Sequence, residues 1–331
     1  MSQMRKRDFL TGGLVAAAAA TAAQAQMAGP RPGGMAGPSP GGMMGPKPGG
    51  MAGPRPAEPM PPAVTNVSPK RDIPHRMVKT TRLFKSPPGY VNALAVAPEG
   101  LWLGQQKLSG TSAKRYGLPE PADKREAAWL VDWNGKLLKT VQTNSRNTSG
   151  MAYGNGCVWM MANQEPQGVF QVDMNSKEIS HRQIPLNLPG QDGGGSHGAQ
   201  WHDGKLWIVA NRPRLMLKVD PKTWMPEAAI PIYTTPEQQR WHDMTFDGDG
   251  NIWMVTGNDS TRYNRGTPGL VKYDGKTGQV IMTCGFAPGS ADPHGLEFHN
   301  GALVSCDAGI HPGWPNGDSP HAGWIFRIDF A

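Results

Sequence analysis

Residues 242–256 read HDMTFDGDGNIWMVT and decide the fold class. Apolar and polar residues alternate on both sides of a glycine-rich turn, which is the pattern of two short antiparallel strands joined by a tight hairpin. The same pattern recurs in segments that begin at Asn92, Ser149, His197 and His294. After every hairpin a third apolar run ends in aspartate, and a more polar run follows. The sequence therefore predicts a repeated unit of four antiparallel strands.

The spacing of this unit predicts the number of repeats. One position in each second strand carries a large apolar residue, and these residues are separated by 57, 48, 46 and 50 positions: Trp102, Trp159, Trp207, Trp253 and Leu303. Units of this size and pattern are typical of β-propeller blades. We predict an all-β propeller with five four-stranded blades, leaving a divergent sixth blade open. An N-terminal strand at 77–84 is predicted to close the ring and remove its free edges.

Several recurrent residues are assigned to the scaffold. The aspartates that end the third strands are predicted to form turns by accepting hydrogen bonds from nearby amides. The tryptophans are predicted to pack between blades. His202 and His299 fall in hairpin turns on the face opposite the strand starts, and we expect them to be solvated.

The N-terminus has the features of an export signal. Residues 1–25 combine a basic start, a mildly apolar run and a small-residue cleavage site. Within them the stretch KRDFL, residues 6–10, resembles a twin-arginine signal, and the ordinary secretory path also accepts such a start. We therefore expect export through the Tat or Sec machinery and a periplasmic or secreted location.

Residues 26–74 form a low-complexity tract that contains four copies of an eight-residue Met/Gly/Pro repeat. So few apolar groups cannot offset the chain entropy lost on folding, which predicts a disordered linker. The evenly spaced methionines offer an alternative role, because thioethers are soft ligands that suit Cu(I). The propeller domain is predicted to occupy 75–331.

Charge and composition exclude several classes of protein. The chain of 331 residues carries a formal net charge of +7, and four of these charges lie before residue 63. The remaining body is nearly balanced and has no basic run, which argues against nucleic acid. No apolar stretch is long enough to span a membrane. Three cysteines make no disulfide framework. We expect a monomer that binds a small-molecule substrate.

Three histidines are the candidate metal ligands. The first position of the inner strand is Asn92, Ser149, His197, His242 and His294 in the five units. Equivalent positions converge on a propeller axis, so the three imidazoles are predicted to meet and to leave an open coordination position. The sequence does not distinguish Zn, Mg, Ca, Mn or Fe. The alternative is that each histidine caps its strand by bonding to neighbouring backbone.

A second set of polar residues returns to the same face at the ends of the second strands. We predict that they orient substrate or support the ligands, or else cap the hairpins: Gln106, Asn163, Asn211, Asn258 and Asp307. Long loops follow the second strands of units one, four and five, and loops at the mouth of a rigid scaffold commonly carry function. Their basic and aromatic groups are the candidate catalytic residues, as anion clamps or as acid and base: Arg115, Tyr116, Arg262, Tyr263 and His311.

The repeat resembles a known superfamily. Its inner strands open on His-Gly or His-Asp, and Asp-Gly-Asn-Ile-Trp at residues 249–253 crosses the turn. This combination resembles the streptogramin lyase (virginiamycin B lyase), SMP-30 and NHL-repeat propellers, over residues 77–331. The resemblance implies a divalent metal near the central axis, bound by residues at the start of the innermost strands.

Taken together, the residues and the resemblance predict an exported, metal-dependent lyase or hydrolase. Its substrate is expected to be a small ester, lactone or carboxylate-bearing molecule at the central mouth. Two alternatives stay open: a non-catalytic periplasmic propeller that binds a protein or glycan, and a redox metalloenzyme that uses the same three histidines.

Overall fold

The structure, a computed structural model, describes residues 72–107, 110, 114, 119–186, 195–211, 213–233, 241–256, 269–307 and 321–331. These residues belong to the compact unit Val67–Ala331. The described fold is all-β. In chain order the strands are β1 His75–Lys85, β2 Tyr90–Ala97, β3 Gly100–Gln106, β4 Glu126–Val131, β5 Leu137–Thr143, β6 Thr148–Gly154, β7 Cys157–Ala162, β8 Gly168–Asp173, β9 Glu178–Arg182, β10 Ser196–His202, β11 Lys205–Ala210, β12 Leu215–Val219, β13 Pro226–Pro231, β14 Trp241–Phe246, β15 Ile252–Thr256, β16 Gly269–Tyr273, β17 Val280–Phe286, β18 Leu296–His299, β19 Ala302–Cys306 and β20 Trp324–Phe330.

The strands are arranged as the repeat predicts. Three sheets have four strands each, in the orders β2-β3-β4-β5, β6-β7-β8-β9 and β10-β11-β12-β13. An eight-stranded sheet has the order β14-β15-β16-β17-β1-β20-β19-β18, in which β1 pairs parallel with β17 and antiparallel with β20. The strands β2, β6, β10, β14 and β18, here called the inner strands, contact one another in turn, and β18 contacts β2. This arrangement is that of a β-propeller.

Four of the five third-strand aspartates form the predicted turns, whereas Asp329 binds the side chains of Thr81 and Arg327 instead. Asp132 Oδ1 accepts hydrogen bonds from the amides of Asn134 and Lys136, both at 2.9 Å. Asp173 and Asp274 bind the amides of their own turns in a similar way. Each of these turn-forming carboxylates therefore satisfies amides that the tight connection leaves outside the sheet.

Aromatic residues fill the seams between successive sheets, as predicted. Trp102 stacks on Tyr153 with ring centres 6.0 Å apart, and Trp159 stacks on Trp201 at 5.7 Å. The tryptophans of the second strands are almost fully buried, with exposed fractions of 1–6% for Trp102, Trp159, Trp207 and Trp253. Most of the hydrophobic core thus lies between blades.

The two turn histidines belong to these seams as well, so the expectation that they are solvated is wrong. His202 stacks on Phe246 with ring centres 3.8 Å apart, and His299 stacks on Trp133 at 3.9 Å. Desolvation lowers the pKa of both imidazoles. A neutral imidazole can pack as an aromatic ring, which the hairpin pattern alone does not indicate.

Two further observations concern the described residues. Cys157, Cys284 and Cys306 are buried and free, so none of them forms a disulfide. Among the residues that the structure describes, no helix is long and apolar enough to cross a membrane.

Candidate functional site

Irregular pairing at the start of four inner strands positions the candidate site. The register between the first and second strands shifts at Asn92, at Ser149, at His197 and at the pair His242–Asp243. A β-bulge leaves the extra residue outside the ladder and redirects its side chain. The residues at the bulges are therefore the ones that the sequence predicts to face the axis, and they lie outside the regular strand pairing.

The three histidines are brought together at the starts of three neighbouring inner strands, β10, β14 and β18. The ring centres of His197 and His242 are 5.2 Å apart, and those of His242 and His294 are 4.2 Å apart. His242 is 1% exposed and His294 is 4% exposed, whereas His197 is half-buried. The cluster thus has one member that is open to solvent and two that are shielded from it. We call these three residues the histidine cluster.

Asp292 sits beside one member of the cluster. Its Oδ2 atom lies 3.4 Å from Nε2 of His294. The Nδ1 atom of His294 is buried and makes no hydrogen bond to any residue that the structure describes. A carboxylate beside one ring nitrogen attracts the proton to that nitrogen and leaves a lone pair on the other. His294 is therefore set up to use Nδ1 as a ligand or a base.

The three histidines are close enough to share a metal ion, but their rings are not oriented to bind one. With metal–nitrogen bonds of about 2 Å, imidazoles around one tetrahedral ion have ring centres about 5 Å apart. The separation of His197 from His242 matches this value, and His242 and His294 are closer. Within the described part of the chain, no three His, Cys, Asp or Glu side chains are arranged to hold a metal. The rings of His242 and His294 must turn to coordinate one ion.

A buried carboxylate lies next to the histidine cluster. Asp243 is 0% exposed. Its Oδ1 accepts hydrogen bonds from the amides of Ala199 at 3.1 Å and Met244 at 2.9 Å, and its Oδ2 accepts one from Leu296 at 3.0 Å. Burial raises the pKa of Asp243 well above its usual range, although these amides favour the charged form. This residue closes the axis between three inner strands.

A second polar layer lies further along the inner strands. Gln200 Nε2 donates to Thr245 Oγ1 and to Glu297 Oε2, both at 3.0 Å, and the amide of Val96 donates to Glu297 Oε1 at 3.2 Å. Burial raises the pKa of Glu297 to about 7. The centre of the ring is thus filled with hydrogen-bonded polar side chains.

Asn92 and Ser149 occupy the position of the histidines in β2 and β6. Their side chains bind the backbone of the neighbouring inner strand. The side chain of Asn92 donates to the carbonyl of Thr148 at 3.3 Å, and Ser149 Oγ donates to the carbonyl of Ser196 at 3.1 Å. Each residue therefore ties its inner strand to the next one. Both side chains therefore make structural hydrogen bonds between neighbouring inner strands.

The ring at the ends of the second strands also makes local bonds. Gln106 donates to Asn147 Oδ1 at 2.6 Å, Asn163 donates to Ser149 Oγ, and Asn211 Oδ1 accepts from Trp241 Nε1 at 3.1 Å. The carboxylate of Asp307 accepts from the amide of Asp292 at 3.3 Å, so it is one step from His294. The described members cap and connect loops, and Asp307 alone joins the histidine cluster through Asp292.

The candidate catalytic residues of the long loops, and one amide of the second ring, lie outside the described residues. They remain predictions: Arg115, Tyr116, Arg262, Tyr263, His311 and Asn258.

The sequence analysis missed the acids at the axis. Asp243, Asp292 and Glu297 each sit beside or inside an inner strand whose other residues are largely apolar or small. Charged side chains are seldom fully buried unless they are hydrogen-bonded. An acid in a strand that must face the axis was therefore the available signal.

Glycine lets the inner strands approach one another at the level of Asp243. A Cβ atom on Gly198 would lie 2.4 Å from Asp243 Oδ1 and 2.8 Å from the carbonyl oxygen of His242. We expect Gly198→Ala to lower the free energy of unfolding by about 2 kcal/mol, because backbone atoms must shift to admit the methyl group. Urea denaturation followed by circular dichroism measures the change.

Gly248→Ala is the matched control for this substitution. A Cβ atom there would have one neighbour, Phe298, at 3.8 Å, which is ordinary contact. The control should change the free energy of unfolding by less than about 0.5 kcal/mol. Equal stabilities of the two variants would contradict the close approach at Gly198.

Comparison with known proteins identifies the fold and not the function. The sequence matches no protein-family model and no curated protein sequence. The chain is similar in structure to the glutaminyl cyclase of Myxococcus xanthus, with a TM-score of 0.51 and 9% identity, over 78% of this chain and 98% of that one.

Two other solved structures are more distant. A protein of unknown function from Bacteroides caccae has a TM-score of 0.44 and 11% identity, over 73% of this chain and 83% of that one. The RRP9 WD40 repeats have a TM-score of 0.44 and 10% identity, over 76% and 98%.

Proposed function

We propose that this protein is a metal-dependent lyase or hydrolase whose ion is held by His197, His242 and His294. The observation that carries the proposal is the meeting of three imidazoles at the starts of three neighbouring inner strands, two of them nearly fully buried. Burying three imidazoles side by side has a desolvation cost that a shared ion would offset. The substrate class is a small ester, lactone or carboxylate-bearing molecule.

The proposal includes the architecture around the site. We infer five blades, with β1 as the outer strand of the blade formed by β18, β19 and β20. Support comes from the antiparallel pairing of β1 with β20 and from the contacts that join the five inner strands in a ring. In this arrangement the histidine cluster belongs to the third, fourth and fifth blades.

Each residue of the site has a distinct role in this proposal. A divalent ion bound by the three histidines would act as a Lewis acid toward a carbonyl or ester oxygen. Asp292 holds the proton of His294 on Nε2 and so keeps Nδ1 as a donor of electrons. His197 is the member exposed to solvent, so the substrate approaches on its side. Proton transfer and anion binding are assigned to the long loops that contain Tyr263, Arg262 and Arg115.

The cellular setting is also part of the proposal. The basic start and small-residue site of residues 1–25 support export of the protein. The Met/Gly/Pro repeat that follows supports a linker between this signal and the propeller. We propose that it acts in the periplasm or outside the cell, as a monomer.

Metal content tests the proposal directly. The exported protein is purified without a histidine tag, loaded with zinc and dialysed, and its bound metal is measured by mass spectrometry. We expect about one tightly held ion per chain, and its loss in His242→Ala, because two remaining imidazoles bind far more weakly.

His202→Ala is the matched control. His202 lies on the same strand as His197 but at the opposite end of that strand. It should retain the ion. A protein without bound metal, equally stable with and without His242, would contradict the enzyme proposal and favour a propeller that binds a partner at its mouth.

A further inference from the structure

One residue outside the histidine cluster contacts all three of its strands. Asp243 follows His242 directly, and its carboxylate binds the amides of Ala199, Met244 and Leu296. These three amides belong to three different inner strands, β10, β14 and β18. The structure thus contains a three-way junction centred on one side chain.

The three amides are equivalent in the repeat. Ala199 is two residues after His197, Met244 two residues after His242, and Leu296 two residues after His294. We propose that Asp243 is the positioning residue of the histidine cluster: it fixes the relative register of the three strands and thereby holds the three imidazoles side by side. The inference deepens the proposed function but does not require that a metal binds.

The chemistry of the junction explains why an acid is needed. The axial edge of an inner strand presents backbone N–H groups that have no partner in the sheet, and a buried N–H group must find an acceptor. A carboxyl group has two oxygens and can accept several hydrogen bonds. Asp243 therefore satisfies three edge amides at once.

At the other four inner strands, the position equivalent to Asp243 is occupied by a small residue. The equivalent residues are Ala93, Gly150, Gly198 and Gly295. Small residues leave room at the axis, and Gly198 makes close contact with Asp243 itself. The repeat therefore supplies space at four inner strands and one acceptor at the fifth, β14.

The isosteric variant Asp243→Asn gives a sharp test. Asparagine keeps one acceptor oxygen, which can still bind the amides of Ala199 and Met244. Its NH₂ group then faces the amide of Leu296, and two donors repel each other. We expect the fifth inner strand to shift, so that His294 leaves the cluster while His197 and His242 stay together.

Nuclear Overhauser effects between histidine ring protons measure this outcome in the full chain with isotope-labelled histidine. In the unsubstituted protein we expect contacts for both His197–His242 and His242–His294. In Asp243→Asn the second contact should disappear and the first should remain. Zinc affinity should fall by about tenfold or more, as is usual when the support of a ligand is removed.

Glu297→Gln is the control, because it alters another buried acid at the axis that binds none of the three amides. Both ring contacts should survive in it. If both also survive in Asp243→Asn, the inference is wrong. If the His294 contact is lost but the unsubstituted protein binds no zinc, the positioning role stands and the proposed function falls.

Amide exchange in the unsubstituted protein provides a second measurement that does not depend on a variant. The amides of Ala199, Met244 and Leu296 should exchange slowly with solvent, since all three are bound to one buried group. Rapid exchange of any of them would overturn the inference, even if Asp243→Asn fails to fold.

Discussion

Trp159→Ala is expected to lower the free energy of unfolding by about 4 kcal/mol, which is typical of removing a large aromatic side chain from a core. The indole is 2% exposed, stacks on Trp201 of the next sheet and donates its N–H to the carbonyl of Gly154 at 3.1 Å. The substitution leaves a cavity in the seam and an acceptor without its donor. Urea denaturation measures the loss, and the melting temperature should fall by about 10 °C.

Leu138→Ala is the control for this result. Leu138 lies on β5 and is 46% exposed, so its truncation should change the free energy of unfolding by less than about 0.5 kcal/mol. If Trp159→Ala were no more harmful than the control, the aromatic seams would not be the main source of stability.

Stability is expected to decline as the pH rises, and Glu126 is one of the buried carboxyl groups responsible. This residue is 0% exposed, and its carboxylate accepts hydrogen bonds from the amides of Lys107, Asn147 and Thr148 at 2.6–2.9 Å. Burial outweighs these bonds and raises the pKa of Glu126 from 4.5 to about 7. The folded chain therefore keeps a proton that the unfolded chain has already released.

The sign and size of the effect follow from this difference in pKa. The contribution of Glu126 to folding is complete below pH 4.5 and is lost as the pH rises through about 7. A shift of this size corresponds to about 3 kcal/mol of unfolding free energy. Denaturation curves at several values between pH 5 and 8 measure the slope.

Glu126→Gln isolates the contribution, because glutamine cannot ionise. The variant is expected to be less stable at low pH, since its NH₂ group meets an amide donor, and its stability should depend less steeply on pH. Glu99→Gln changes an exposed carboxyl group and should leave the slope as it is. Parallel pH profiles for Glu126→Gln and the unsubstituted protein would refute the explanation.

The fold was predictable because its determinants are local. Alternation around a glycine turn specifies a hairpin, aspartate at the end of the third strand specifies the next turn, and one large apolar residue in each second strand fills a seam. Each rule acts within a few residues. Repetition of a local rule then implies the arrangement of four-stranded sheets around an axis.

The site was predictable only to the level of position. Equivalence in the repeat places His197, His242 and His294 together, because equivalent residues of a propeller face the same axis. The partners of Asp243 lie on three strands and are separated by 45 and 52 residues in the chain. No local pattern describes such a junction, so the acids at the axis were missed. Ring orientation likewise depends on packing among neighbours.

The buried acid at the axis limits how a small molecule can reach and leave the histidine cluster. Asp243 is 0% exposed, so within the part of the chain that the structure describes the axis is closed at the level of this residue. A molecule that reaches the histidine cluster must therefore leave through the opening by which it entered. Product and incoming substrate would compete for one passage, and product release is a common limit on turnover. If the proposed function holds, inhibition by product should be competitive with substrate.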